Sequence, residues 1–341
     1  MHYTHGGFIL VIDTHTQQHI HNNTYTREHT QMNSLINVNT RQEITQGLNK
    51  DLFTAWVNYI DASAKTIETY GKAIKQFLIF LQDRGVSAPT REDIISYREY
   101  LKQSHKPTTT QNYLMAVKQF FNWTEAEGIY PNIAKHIKGA KIDREHKKDY
   151  LTSSQVMRLL NDIDRENLQG KRDYAILSLM VTTGLRTISV CLADIKDIRP
   201  VGDEMALYYQ GKGHEEKADY VKLAAPVEKA INDYLKARGK ANTEEPLFTS
   251  LSNNNPGRLT TRSISRIAKQ HFIDIGLNSD RITAHSLRHT AATLNLLNGG
   301  TPEETQQLLG HKDINTTMIY AHALERAANN SEHRIANAIF Q

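Results

Sequence analysis

The stretch that decides the fold runs from Met205 to Leu223, MALYYQGKGHEEKADYVKL. Met205–Tyr209 and Asp219–Leu223 are short apolar and aromatic runs of the kind that favours extended backbone. Between them lies a polar turn containing Gly211-Lys212-Gly213, so the stretch predicts a β-hairpin. Outward from it, the pattern is helical. Upstream, a helix over about 171–183 stops at Gly184. Downstream, helices are expected over roughly 226–238, 261–275, 285–297, 302–309 and 313–319. Thr152-Ser153-Ser154-Gln155 spells a capping box ahead of Val156, Leu159 and Leu160, which sets the start of this domain near 150. The fold class that follows is mainly α with a small antiparallel sheet.

A second domain precedes it. Over residues 48–134, Ile67, Tyr70, Ile74, Phe77, Leu78 and Leu81 recur at helix spacing, and Gly85 supplies a stop. Thr90 with Asp93 opens another helix through Ile94, Ile95, Tyr97 and Leu101. Pro107 opens a third, with Tyr113, Leu114, Val117, Phe120 and Phe121 inward and Gly128 at its end. This predicts a bundle of about four helices with Lys72, Lys75, Arg98, Lys102 and Lys118 on its outside, where cations solubilise a surface or hold phosphates. Residues 135–149 form a basic linker. In it Lys135, Lys138, Lys141, Arg144, Lys147 and Lys148 face only Asp143 and Glu145, as a solvated linker or as a strap along a phosphate backbone. Residues 1–47 are rich in His, Thr, Asn and Gln without a period and read as a flexible arm; their histidines lack metal-ligand spacing.

Composition sets the outer limits. At 341 residues the chain suits about two domains. No apolar run approaches the roughly 18 residues of a membrane span, and the first residues lack a signal peptide's basic start, so a cytoplasmic, membrane-free protein is expected. The lone Cys191, in an apolar helical stretch, allows no internal disulfide and reads as a buried structural thiol in a reducing compartment. A net charge of +4 is compatible with nucleic acid without demanding it.

Three short stretches carry the chemistry: Thr183-Gly184-Leu185-Arg186, His285-Ser286-Leu287-Arg288, and Leu308-Leu309-Gly310-His311 with Tyr320 nine residues later. Singly, each has an ordinary explanation as a helix-dipole arginine, a polar cluster one turn apart, or a core tyrosine. As a set they suit metal-free cleavage of a phosphodiester. Arg186 and Arg288 can hold the non-bridging oxygens bidentately. Tyr320 offers a phenolic oxygen that nearby cations favour in ionised form, and His285 is the candidate proton acceptor. No P-loop, dinucleotide-binding glycine motif or acidic cluster for two metals is present, so no cofactor is expected. His285 and His289, four apart, lack a third ligand and have Arg288 between them. His289 reads as a hydrogen-bonding support rather than a zinc ligand.

In this order and spacing the chain resembles the tyrosine recombinase (phage integrase) family: TGLR, GKG in a hairpin, HSLRHTAAT, then LLGH and a tyrosine within Thr-Thr-x-x-Tyr. The likeness covers about 150–322, and the helical bundle extends it to about 48, as the family's core-binding domain. It implies a catalytic domain over 150–324. It also implies that Lys212 protonates the leaving 5′-oxygen, with Lys217 as the fallback, and that His311 hydrogen-bonds the scissile phosphate. It implies further a covalent 3′-phosphotyrosine, strand exchange between duplex DNA sites through a Holliday junction, and a homotetramer on DNA. Accessory DNA-bending or excision factors are the partners it adds. The tail, 325–341, reads as a short helix whose Ile335, Ala336, Ala338, Ile339 and Phe340 dock on their own domain or, as the resemblance implies, on a neighbouring protomer. One position departs. Ser189 stands where the family pattern commonly has an acid, which implies weaker ordering around Arg186 rather than lost chemistry. Two readings compete: a type IB topoisomerase-like enzyme relaxing supercoils, and a catalytically impaired DNA-binding regulator.

Overall fold

The structure, a computed structural model, describes residues 50–141, 149–211, 216–252 and 257–340. The arm over 1–47, Lys212, Arg144, Lys147 and Lys148 lie outside the described residues. The chain divides into two compact units, Met1–Arg144 and Glu145–Gln341.

In the first unit four helices form: α1 (Lys50–Tyr59), α2 (Ala64–Asp83), α3 (Arg91–Ser104) and α4 (Pro107–Ala126). Their ends follow local chemistry. The Ser63 hydroxyl accepts from the Thr66 backbone N–H at the start of α2, and the Asp93 carboxylate accepts from the Thr90 N–H at 2.7 Å at the start of α3. Pro107 occupies the first turn of α4, where its missing N–H costs nothing. The core is aromatic: Trp56 stands edge-on to Phe120 with centroids 5.6 Å apart, and Phe77 edge-on to Phe121 at 6.1 Å. Burying each such side chain contributes roughly 1.5–3 kcal/mol.

The basic stretch after α4 starts on this core rather than beyond it. Ala134 and Ile137 are buried in it, and the Lys118 ammonium donates to the Ile137 carbonyl at 2.6 Å. Arg91 and Arg98 donate to the carbonyls of Lys135 and Lys138, each at 3.1 Å. Residues 135–138 are therefore part of the bundle, because apolar side chains alternate with the lysines there.

The second unit is built around α6 (Leu168–Thr183), whose Ile176, Leu177, Leu179 and Met180 are buried. Before it comes α5 (Ser153–Asn161), capped as its Thr-Ser-Ser-Gln sequence dictates: the Thr152 N–H donates to Gln155 at 2.9 Å. After it come the short α7 (Thr187–Leu192) and a three-stranded antiparallel sheet, β1 (Ile198–Val201), β2 (Glu204–Tyr209) and β3 (Asp219–Lys222). The hairpin pairs Leu207 with Val221 and Tyr209 with Asp219. The expected hairpin thus gains an edge strand, β1, which contains Pro200; a proline inside a run obscures a strand in the sequence.

Helices α8 (Ala225–Arg238), α9 (Thr261–Asp274), α10 (Ala284–Leu297) and α11 (Pro302–Leu309) complete the domain, with a two-residue ladder of β4 (Thr249–Ser250) and β5 (Gly257–Arg258) between α8 and α9. The next helix differs from expectation. It runs as α12 from Asn315 to Ala328, so Tyr320 lies inside it rather than past its end. The alanines at 321, 323, 327 and 328 carry the helix on. A separate helix, α13 (Ser331–Phe340), follows and buries none of its residues on this chain.

Candidate active site

Arg288 organises the site. Its position on the inner face of α10 leaves it 3% exposed, and its two terminal nitrogens donate to the carbonyls of Gly184 at 2.7 Å and Leu309 at 2.6 Å. Both carbonyls are at helix C-termini, where backbone oxygens lack intrahelical partners and a cation is favoured. Both helices end in a left-handed glycine, Gly184 with φ 66° and Gly310 with φ 58°. One buried guanidinium therefore joins the segment that carries Arg186 to the segment that carries His311. At Gly184 there is no room for anything larger: a Cβ would lie 2.5 Å from Leu309 Cδ2.

Arg186, half-buried at the start of α7, makes no side-chain hydrogen bond among the described residues. Together with Thr187, His285 and Arg288 it lines a cleft of about 280 Å³. Burial, and secondarily Arg186, lowers Arg288 to about 10, so it remains charged at neutral pH; Tyr320 and Tyr209 act in the opposite direction. Two neighbouring guanidiniums, neither paired with a carboxylate among the described residues, form a site that favours an anion.

His311 has left the solvent partly. Its Nδ1 is 2.9 Å from the Thr317 hydroxyl on α12. Burial first, then Arg288, Arg186 and His285, lower it to about 4, so it is a neutral imidazole at physiological pH.

Tyr320, on α12, packs with Ala292 and Leu309 in a small apolar cluster separate from the main core. Its hydroxyl is 2.6 Å from Nδ1 of His289. His289 is buried, and its ring meets that of the exposed His285 edge-on with centroids 4.5 Å apart. The histidine one turn further along α10 from His285 is thus the one whose ring nitrogen pairs with the phenol. Burial raises the Tyr320 phenol above its ordinary value, while Arg288 and Arg186 pull it down.

The remaining sequence-selected residues divide clearly. The Lys217 ammonium donates to the Leu192 carbonyl and Asp194 at 2.7 Å and to Asp197 at 2.5 Å, a buttress beneath the hairpin. Arg258 shares Asp194 in that cluster. Ser189 is buried on α7 with no side-chain hydrogen bond among the described residues. Cys191 is buried, which pushes its thiol up to about 11 against the pull of Arg258, the state of an inert core thiol. On the bundle, Lys72 pairs with Glu68 and Lys102 with Glu99, whereas Lys75, Lys135, Lys138 and Lys141 are exposed. Arg98 and Lys118 hold the 135–138 segment, as described above.

Two residues near the site carry no sequence signal of their own. Thr317 is marked only as one of two adjacent threonines before Tyr320. Tyr209 reads as one strand residue among several, yet its hydroxyl reaches the Gly310 turn: a Cβ on Gly310 would lie 3.0 Å from it. Among the described residues no His, Cys, Asp and Glu group could hold a metal, and no helix is long and apolar enough to cross a membrane.

An inner guanidinium, a second beside it, a neutral imidazole and a buried tyrosine come together around two glycine-ended helices on a mainly α domain. The chain belongs to the phage integrase family, whose profile matches residues 149–326, and residues 51–130 match the phage integrase N-terminal SAM-like domain. It is 32% identical over 235 residues to tyrosine recombinase XerC of Caldanaerobacter subterraneus subsp. tengcongensis, covering 67% of this chain and 64% of that protein. To tyrosine recombinase XerC of Pelobacter propionicus it is 31% identical, covering 76% and 85%. Among solved structures the fold matches the XerH site-specific recombinase bound to difH substrate in a pre-cleavage complex. That match has TM-score 0.63 and 19% identity over 84% of this chain and 92% of that one. It also matches the Tn1549 transposon integrase in complex with transposon right-end DNA, with TM-score 0.60 and 19% identity over 85% and 99%.

Proposed function

We propose that this chain is a site-specific DNA recombinase that cuts and rejoins strands through a 3′-phosphotyrosine on Tyr320. The observation that carries the proposal is the convergence at Arg288. A single buried side chain ties together the segments that bear Arg186 and His311, and Tyr320 is held beside them by its hydrogen bond to His289 on the same helix as Arg288.

In this reading Arg186 and Arg288 hold the non-bridging oxygens, as two planar forks suited to the trigonal-bipyramidal phosphorane. His311, neutral, donates a hydrogen bond to the same phosphate. The Tyr320 oxygen attacks phosphorus as its proton passes to the histidine pair, where His289 touches the hydroxyl and His285 faces the cleft. Lys212 protonates the departing 5′-oxygen; the anchoring of Lys217 by Asp194 and Asp197 favours Lys212 for that task. The ester conserves the energy of the broken bond, so rejoining to another strand needs no nucleotide cofactor. The exposed Lys75, Lys135, Lys138 and Lys141, with Lys72 and Lys102, contact phosphates, and protomers assemble as a tetramer exchanging strands through a Holliday junction. Curated relatives are named tyrosine recombinases, and one solved neighbour is a lambda integrase tetramer bound to a Holliday junction, which supports this assignment.

The test is covalent trapping. Nicked duplexes with a randomised central segment, from which a short 5′-hydroxyl fragment diffuses after cleavage, are incubated with the protein, and adducts are recovered under denaturing conditions and sequenced. A sequence-enriched adduct that disappears with Tyr320→Phe is expected. An adduct that survives this substitution refutes the nucleophile, and DNA binding without any adduct favours the regulator reading.

A further inference from the structure

We propose that Tyr209 is a second working phenol of this site, donating a hydrogen bond to a non-bridging oxygen of the scissile phosphate; this rests on the strand-cleavage reading above. The side chain is only 5% exposed, with its ring in the main core of the catalytic domain. Its hydroxyl nevertheless has no hydrogen-bond partner among the described residues. The oxygen itself is not shut off from solvent, so its O–H is available to a ligand that enters the site.

Where the hydroxyl ends decides what binds. It abuts the left-handed turn at Gly310, one residue before His311 and one after the Leu309 carbonyl that holds Arg288. A Cβ at position 310 would lie 3.0 Å from the hydroxyl and crowd it by a few tenths of an ångström. Burial is the largest influence on its titration and Asp219 acts in the same direction, both raising it against the pull of Arg288 and Arg186, so it stays a neutral donor. The two guanidiniums have no acceptor to offer this O–H, and the Nδ1 of His311 is engaged with the Thr317 hydroxyl. A phosphate oxygen is the acceptor whose chemistry fits.

The strand explains why the position is exact. Tyr209 pairs with Asp219 as the last residue of β2, and Lys212 follows it by three residues in the sequence. A hydrogen bond from Tyr209 to the phosphate would fix the end of β2 relative to the phosphorus. It adds a neutral contact to a cradle otherwise made of charges.

The experiment uses the full chain with Tyr209→Phe, which keeps the buried ring and removes only the hydroxyl. Single-turnover adduct formation is measured on the duplex recovered by covalent trapping. It is measured again on the same duplex with each methylphosphonate diastereomer at the scissile position, where one or the other non-bridging oxygen is a methyl group. Cleavage of the phosphodiester should slow roughly 10- to 100-fold, the scale of a lost oxyanion donor, with DNA affinity unchanged. On one diastereomer the substitution should cost nothing, because the oxygen it would have bonded is already gone; on the other the cost should persist. An unchanged rate on the phosphodiester, or an equal loss on both diastereomers, overturns the assignment, the second outcome marking a packing role. A wild-type chain that forms no adduct sinks the cleavage reading and this inference with it, whereas a wild-type adduct with no Tyr209 effect sinks this inference alone.

Discussion

At the level of single residues, the two lysines of the hairpin region separate by what holds them. Lys217 is committed to Asp194 and Asp197, so its loss should loosen the hairpin rather than stop chemistry. Lys217→Met is expected to lower Tm while leaving cleavage per folded molecule within a few-fold. Lys212→Ala should instead slow cleavage, and a 5′-bridging sulfur at the scissile bond should restore it, since a thiolate leaves without a proton. Restoration for neither variant, or for Lys217→Met, would reverse the assignment. His311 makes a second prediction, in pH. Its folded value near 4 lies below the ordinary 6.5, so unfolding takes up a proton between those limits. Stability from this group is complete above about 6.5 and declines as pH falls toward 4. His311→Gln should therefore lose less Tm between pH 7 and 5 than wild type, in parallel melts.

These residues also show what the sequence could disclose. Arg186, Arg288, His311 and Tyr320 were legible because each stands at fixed spacing beside a helix-ending glycine or on a helix face. The pairing of Tyr320 with His289 was not legible: it depends on α12 running through the tyrosine to Ala328, and helix ends without a glycine or proline are weakly marked. Tyr209 was hidden for a related reason, since which strand residue reaches Gly310 is fixed by register and by the packing of β2 against the core. In the bundle, the alternation of Ala134 and Ile137 with lysines reads as a charged run until the aromatic core beneath it is known.

Among elements, the α6–Gly184–α7 junction carries the most consequence per atom. The glycine supplies a positive φ, admits Leu309 to within 2.5 Å of where its Cβ would be, and presents the carbonyl that Arg288 grips. Gly184→Ala adds left-handed strain to a steric clash, each on the order of 1 kcal/mol or more. The expected result is a lower Tm together with a cleavage defect larger than the stability loss explains, because the cradle of Arg288 shifts. An alanine variant with wild-type cleavage in a single-turnover assay would show that the Arg288 clamp tolerates displacement. The nucleophile's helix is anchored differently. Tyr320 belongs to a cluster of three buried residues that includes Ala292 of α10, whereas the buried apolar residues of α6 belong to the main core. The nucleophile's helix therefore rests on a smaller apolar contact than α6 does, and elements with fewer buried apolar contacts open at lower free energy.

For the whole molecule, the question is what covers α13. Its Ile335, Ile339 and Phe340 are 60%, 66% and 85% exposed, and none of its residues is buried on this chain, so docking on its own domain does not account for it. An amphipathic helix left bare by its own fold is stabilised by burial elsewhere. In the tetramer proposed for this chain, that place is a neighbouring protomer, and a cyclic arrangement lets each tail leave one subunit and meet the next. A chain ending at Asn330 keeps every residue of the Arg288 cluster and the aromatic bundle. It should therefore bind one half of the trapped recombination site with wild-type affinity in a mobility-shift titration. Occupancy of the full site should lose its cooperativity, and sedimentation should show DNA-bound monomers where the complete chain gives larger assemblies. Ile335→Asp with Ile339→Asp in the full chain should reproduce the defect without shortening it. Cooperative assembly by either variant would mean that the tail is not the link between subunits, and that the contact between protomers has to be sought on the folded faces of the two units.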